Sequence, residues 1–180
     1  IEIDGFAFSE KDTVFVAHDL EEITSSRTLK NLYLAPLNHI IEQKAIHSGL
    51  NIPDMMIDLK TPFKTTIDKL ISEINHYSAI RLALQNNQFK IIISGSMPSP
   101  TEFNTYPSWL YFDGRFHQSY TAEQLKRVPF ISASFRDYSS WNGKGRPTKT
   151  EDAAIRSAIA KAQAIGKSLR FWATPDSPTA

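Results

Sequence analysis

Short apolar runs alternate with amphipathic stretches along the whole of this sequence, and that alternation limits the fold more than any other feature. The runs are Ile1 to Asp4, Val14 to Ala17, Met55 to Leu59, Lys90 to Ser94, Trp109 to Phe112, Phe130 to Phe135 and Leu169 to Ala173. Several are apolar at successive positions, the pattern of strands buried on both faces of a parallel sheet. Helical patterns lie between them. Pro36 suits a first helical position; Leu37, Ile40, Ile41 and Ala45 then share a face, and Gly49 stops the helix. Thr65 or Thr66 is placed to cap a helix carrying Ile67, Leu70, Ile71 and Ile74 on one side. Thr121 and Gln124 have capping-box spacing, and Thr150 precedes Glu151 and Asp152, which suit a helix N-terminus. Ile155, Ala158, Ile159, Ala162 and Ile165 form a stripe ended by Gly166. This βαβα order predicts an α/β domain with a parallel sheet, either a barrel or a doubly wound fold.

At 180 residues the chain has the length of one domain, and no linker or repeat divides residues 1–180. Ser139 to Thr150, with Gly143, Gly145 and Pro147, reads as a long polar surface or lid loop at a strand end. Without cysteine there is no disulfide, thiolate metal site or cysteine nucleophile. A formal net charge of +1 argues against nucleic acid as a partner, because neutralising phosphates takes a basic surplus. No apolar run approaches the ~18 residues of a transmembrane segment. The sequence opens within a strand-like run and without methionine, which predicts a chain missing its true start.

Chemistry-bearing side chains collect at the ends of the apolar runs: Glu2 and Asp4, then His18 and Asp19, then Asp58 and Lys60. The carboxyl edge of a parallel sheet is where α/β proteins assemble sites. Glu2 and Asp4 are two apart, so on a strand both face the same way, and carboxylates so placed call for a cation. Oxygen ligands of this kind suit Mg²⁺ or Ca²⁺. Asp58 and Lys60 repeat the spacing, and together these residues read either as a metal site facing a phosphate or as an ion-paired rim. His18 closes an apolar run beside a carboxylate, a placement that suits a general acid or base. His39, His47, His76 and His117 fall on helical or turn stretches and read as surface residues. Gly143-Lys144-Gly145-Arg146 is neither a P-loop nor GxGxxG, and Ser94-Gly95-Ser96 lacks a nucleophile-elbow pattern. Arg170 and Trp172 are again two apart, which places an indole either over a pocket or in the core.

The ordered set Ile1-Glu2-Ile3-Asp4, Val16-Ala17-His18-Asp19-Leu20-Glu21, Arg27 to Leu34 and Met56-Ile57-Asp58-Leu59-Lys60-Thr61 resembles the glycerophosphodiester phosphodiesterase-like group of the phosphatidylinositol-specific phospholipase C-like superfamily. Ile92-Ile93-Ser94-Gly95, Tyr111 to Arg115, Ile131 to Phe135 and Arg170 to Asp176 extend the resemblance to the other end. It implies a (β/α)₈ TIM barrel whose first and last strands fall outside residues 1–180. It also implies metal ligation by Glu2, Asp4 and Asp58, phosphate contact by Lys60, and an aromatic pocket wall at Trp172. His18 would be one of two catalytic histidines, the other lying upstream of Ile1. The implied activity is metal-dependent hydrolysis of a glycerophosphodiester or lipid-headgroup phosphodiester, with Ca²⁺ or Mg²⁺. A phospholipase C- or sphingomyelinase D-like lyase is the rival chemistry, and a non-catalytic barrel binding an anionic phosphorylated ligand is the rival of another class. Analogy with exported bacterial members implies a periplasmic or secreted location, and no oligomeric state is implied.

Overall fold

The computed structural model describes residues 1–44 and 51–176 and divides the chain into two compact units, Ile1–Phe112 and Asp113–Ala180. The expected helix residues Ala45 and Gly49, and His47, lie outside the described residues.

The first unit is built on a five-stranded sheet in the order β2-β1-β3-β4-β5. Its strands are β1 (Glu2–Ala7), β2 (Val14–Val16), β3 (Met55–Leu59), β4 (Ile91–Gly95) and β5 (Leu110–Phe112). Pairing is parallel from β1 through β3 and β4 to β5, whereas β2 turns back antiparallel along β1. The consecutive apolar runs are explained by two-sided burial: Ile57, Ile91, Ile92 and Ile93 are all buried. Three helices flank the strands: α1 (Ala35–Lys44), which continues a π-helical turn over Lys30–Leu34, then α2 (Phe63–Asn75) and α3 (Ser78–Gln85).

Helix α2 buries Ile67, Leu70 and Ile74 as its periodicity requires, but its start differs from expectation. Thr65 and Thr66 lie inside the first turn. The Phe63 N–H donates instead to the Ser96 hydroxyl (3.0 Å), a cap supplied from beyond β4 and therefore invisible to local spacing. In α1, Ile41 is buried while Ile40 stays exposed, so the covered stripe is narrower than its periodicity predicts.

The second unit holds a three-stranded parallel sheet of β6 (Gly114–Arg115), β7 (Phe130–Ser134) and β8 (Ser168–Trp172), with helices α4 (Ala122–Leu125) and α5 (Lys149–Gln163). Thr121 and Gln124 form the expected capping box. The cap of α5 is Thr148 rather than Thr150: its hydroxyl accepts from the Glu151 N–H while the Glu151 carboxylate reaches back. Gly166 takes the left-handed conformation (φ +71°) that ends the helix.

The strands form two open sheets, not the closed ring of a (β/α)₈ barrel. Among the described residues neither sheet returns on itself. Strand β2 lies on the outer edge of β1 in antiparallel register. The architecture is therefore mixed α/β with parallel sheets. No described helix is long and apolar enough to cross a membrane.

Candidate functional site

Parallel pairing of β1 with β3 sets Glu2 opposite Met56 and Asp4 opposite Asp58, and pairing of β3 with β4 sets Asp58 opposite Ser94. In-register residues of neighbouring strands share a face, so Asp4, Asp58 and Ser94 form one polar row across an otherwise apolar sheet. Lys60 follows β3 directly. Its N–H donates to the Gly5 carbonyl (2.9 Å), holding the backbone against β1 while the side chain turns back over the row. Its Nζ lies 2.5 Å from Asp58 Oδ2 and 3.2 Å from Asp4 Oδ1.

His18 arrives on the antiparallel hairpin. The Ala17 N–H donates to the Asp4 carbonyl (3.4 Å), and the His18 N–H donates to Glu22 Oε2 (3.0 Å) in the short turn that follows. Glu73 of α2 steadies the hairpin by accepting from the Thr13 hydroxyl and the Val14 N–H. The His18 ring then meets Asp4, with Nδ1 3.1 Å from Oδ2. An ionised carboxylate only accepts, so this contact assigns the Nδ1 proton to the imidazole and leaves Nε2 as the acceptor nitrogen of the neutral ring. His18 is 79% exposed, against 21% for Asp4 and 18% for Asp58. The carboxylates form the floor and the imidazole stands at the mouth.

Electrostatically the row is balanced by Lys60. Partial burial works against its ammonium, but the hydrogen bonds to Asp58 and Asp4 outweigh that penalty and hold the group above the ordinary lysine value. Gly95, just past the row, makes the approach possible. Its φ is +71°, and a Cβ there would stand 2.5 Å from Asp58 Oδ1 and 2.6 Å from the Leu59 carbonyl. Glycine is needed for both conformation and space.

Of the residues singled out in the sequence, Asp4, His18, Asp58 and Lys60 come together. Glu2 is exposed one pleat earlier on β1, and among the described residues no three His, Asp or Glu side chains are grouped as a metal shell. The donor chemistry nonetheless suits a hard divalent cation: Asp4 and Asp58 converge on one point, and a cation, the Lys60 ammonium, already stands there. Gly95 and Glu22 were not foreseen. A glycine closing an apolar run was a signal for the first; nothing local marked the second. Ser94 carries no sign of a nucleophile, and Ser96 is spent on capping α2.

Trp172 is the last residue of β8 in the second unit and is 46% exposed, which sets aside the core-packing alternative. The Ser139 to Thr150 loop is tied down rather than loose. Glu151 Oε1 accepts from the Ser139 hydroxyl (3.0 Å) and the Ser140 N–H (2.8 Å), and the Trp141 indole donates to the Lys144 carbonyl (3.0 Å).

No protein-family model and no curated protein sequence matches the chain. Among solved structures it is similar in fold to a calcium-dependent phosphoinositol-specific phospholipase C from a Gram-negative bacterium, Pseudomonas sp. The TM-score is 0.50 and the identity 13%, over 99% of this chain and 82% of that one. At that identity the likeness is one of fold.

Proposed function

We propose that this chain cleaves phosphodiesters, acting on a glycerophosphodiester or a related lipid headgroup with His18 as proton carrier. The observation that carries the reading is the connected group His18–Asp4–Lys60–Asp58 on one sheet edge. Asp4 orients the imidazole through Nδ1, so Nε2 is presented to take a proton from a water molecule attacking phosphorus. Lys60 supplies a fixed positive charge to a non-bridging phosphate oxygen as negative charge builds there. The P–O bond to the leaving alcohol then breaks, and the imidazolium holds the proton that alcohol needs. A divalent cation, Ca²⁺ or Mg²⁺, held by Asp4 and Asp58 with Glu2, would add further charge stabilisation to the phosphoryl oxygens.

The test is turnover of glycerophosphocholine and glycerophosphoinositol with and without chelator. The reading expects activity lost on chelation and restored by added Ca²⁺ or Mg²⁺, and His18→Ala reduced at least 100-fold, the low end of general acid–base contributions. Unchanged activity in His18→Ala overturns the role of His18. The phospholipase C fold neighbour favours a second reading, attack by an adjacent substrate hydroxyl to give a cyclic product, which ³¹P NMR of the products distinguishes from hydrolysis.

A further inference from the structure

We infer that Lys60 and a divalent cation compete for the same two carboxylate oxygens, so that binding of the cation and release of the Lys60 ammonium are one event. The inference rests on the reading above only in assigning a cation to Asp4 and Asp58, and nothing in it requires phosphodiester cleavage.

Each carboxylate has one oxygen turned to the point where the two converge. On Asp4 it is Oδ1, 3.2 Å from Lys60 Nζ, while Oδ2 is 3.1 Å from His18 Nδ1. On Asp58 it is Oδ2, 2.5 Å from Lys60 Nζ, while Oδ1 lies over Gly95, where a Cβ would stand 2.5 Å from it. The ammonium therefore engages both of the oxygens that a shared cation needs. Ca²⁺ takes its oxygen ligands at about 2.3–2.6 Å and Mg²⁺ at about 2.0–2.1 Å. An ion bound to Asp4 Oδ1 and Asp58 Oδ2 would stand in the space that Nζ fills. Charge gives the same answer. Two carboxylates balance one divalent ion, and a further positive charge beside it is repelled. The two side chains are only 21% and 18% exposed, so solvent and salt screen that repulsion weakly.

Lys60 is built to leave. Its backbone N–H is tied to the Gly5 carbonyl, but its side chain is 33% exposed, so the ammonium can swing out without moving the strand. The exchange also settles a conflict within the site. An ammonium held by two carboxylates is poorly placed to serve a phosphate oxygen, and a cation that replaces it sets it free to do so.

The test is calorimetric titration of the intact protein with CaCl₂, and separately with MgCl₂, at fixed ionic strength. It is followed in parallel by the ¹H–¹³C signal of the Lys60 ε-methylene, assigned with Lys60→Met. The wild type should bind the cation saturably, and the Lys60 signal should move with the same midpoint. Lys60→Met should bind it about fivefold more tightly or better, the low end of couplings between two ligands. Lys60→Gln, which keeps a polar end, should do the same and serves if the methionine variant does not fold. Asp58→Asn should weaken binding. Lys64→Met removes an exposed lysine of α2 that pairs with neither carboxylate, and it should bind as the wild type does, which separates occupancy from overall charge. Wild-type or weaker affinity in the folded Lys60 variants, or equal tightening in Lys64→Met, would overturn the inference. So would undiminished binding in Asp58→Asn, cation binding that leaves the Lys60 signal still, or no saturable binding in wild type and Lys60 variants alike. A protein that shows the competition yet cleaves no diester leaves the inference standing and overturns only the phosphodiesterase reading.

Discussion

A single methyl group separates Gly95 from a residue the site cannot accept. Its Cβ would enter the space of Asp58 Oδ1 and the Leu59 carbonyl, and the positive φ adds the strain of a left-handed backbone, about 1–2 kcal/mol for an L-residue. Gly95→Ala should therefore lower stability by roughly that amount in urea denaturation and cut turnover by tenfold or more, because Asp58 and with it Lys60 must move. Wild-type turnover in this variant would show that the placement of Asp58 does not matter. At this scale the sequence was informative where chemistry is written in short spacings. Asp4, His18, Asp58 and Lys60 lie in or beside apolar runs, so a strand reading alone brings them near one another, although β1 runs on to Ala7 and leaves Asp4 within the strand and not at its end. The parts it could not reveal are set by tertiary register. Glu22 holds the backbone at His18 through a turn no pattern announces, and Glu2 lies exposed one pleat before Asp4 on the same strand.

Elements were legible in their bodies and less so at their ends. The seven apolar runs each contain or overlap a strand, and in β3 and β4 two-sided burial accounts for the consecutive apolar residues. Strand β6 is only Gly114–Arg115 and offers too little sequence to detect. Helix starts depend on one or two hydrogen bonds, so Thr150 was expected where Thr148 caps α5, and α2 borrows its cap from Ser96. The cap of α5 has a pH signature. Backbone and hydroxyl donation from Thr148, with further donation from Ser140 and Ser139, takes Glu151 from an ordinary 4.5 to about 2. A carboxylate lowered on folding contributes its stabilisation in full above about pH 4.5 and loses it as the pH falls towards 2. The Ser139 to Thr150 loop should thus stay anchored at neutral pH and release in that acid window, reported by Trp141 fluorescence. Glu151→Gln should shift the Trp141 signal at pH 7 towards its acid form; a signal unchanged by both acid and substitution would contradict the anchoring.

Across the whole molecule, the resemblance implied a (β/α)₈ barrel whose first and last strands fall outside residues 1–180, and the described strands make two open sheets, parallel except for β2. The βαβα order specified parallel pairing through local alternation, whereas the antiparallel return of β2 along β1 is set by tertiary register. Each sheet carries one polar row, Asp4–Asp58–Ser94 in the first and Arg115–Ser132–Arg170 in the second. The central claim is that the first row, with Lys60 and His18, cleaves phosphodiesters. Its most direct test is a ³¹P NMR time course of glycerophosphoinositol with the protein and Ca²⁺ or Mg²⁺, run beside Asp58→Asn and Lys60→Met. We expect the diester signal to give way to a monoester or cyclic phosphate, and both variants, folded by circular dichroism, to slow this at least 100-fold, within the range of electrostatic contributions to catalysis. A diester signal that stays constant in the folded wild-type protein with either cation, or that decays equally fast in the variants, would contradict the claim.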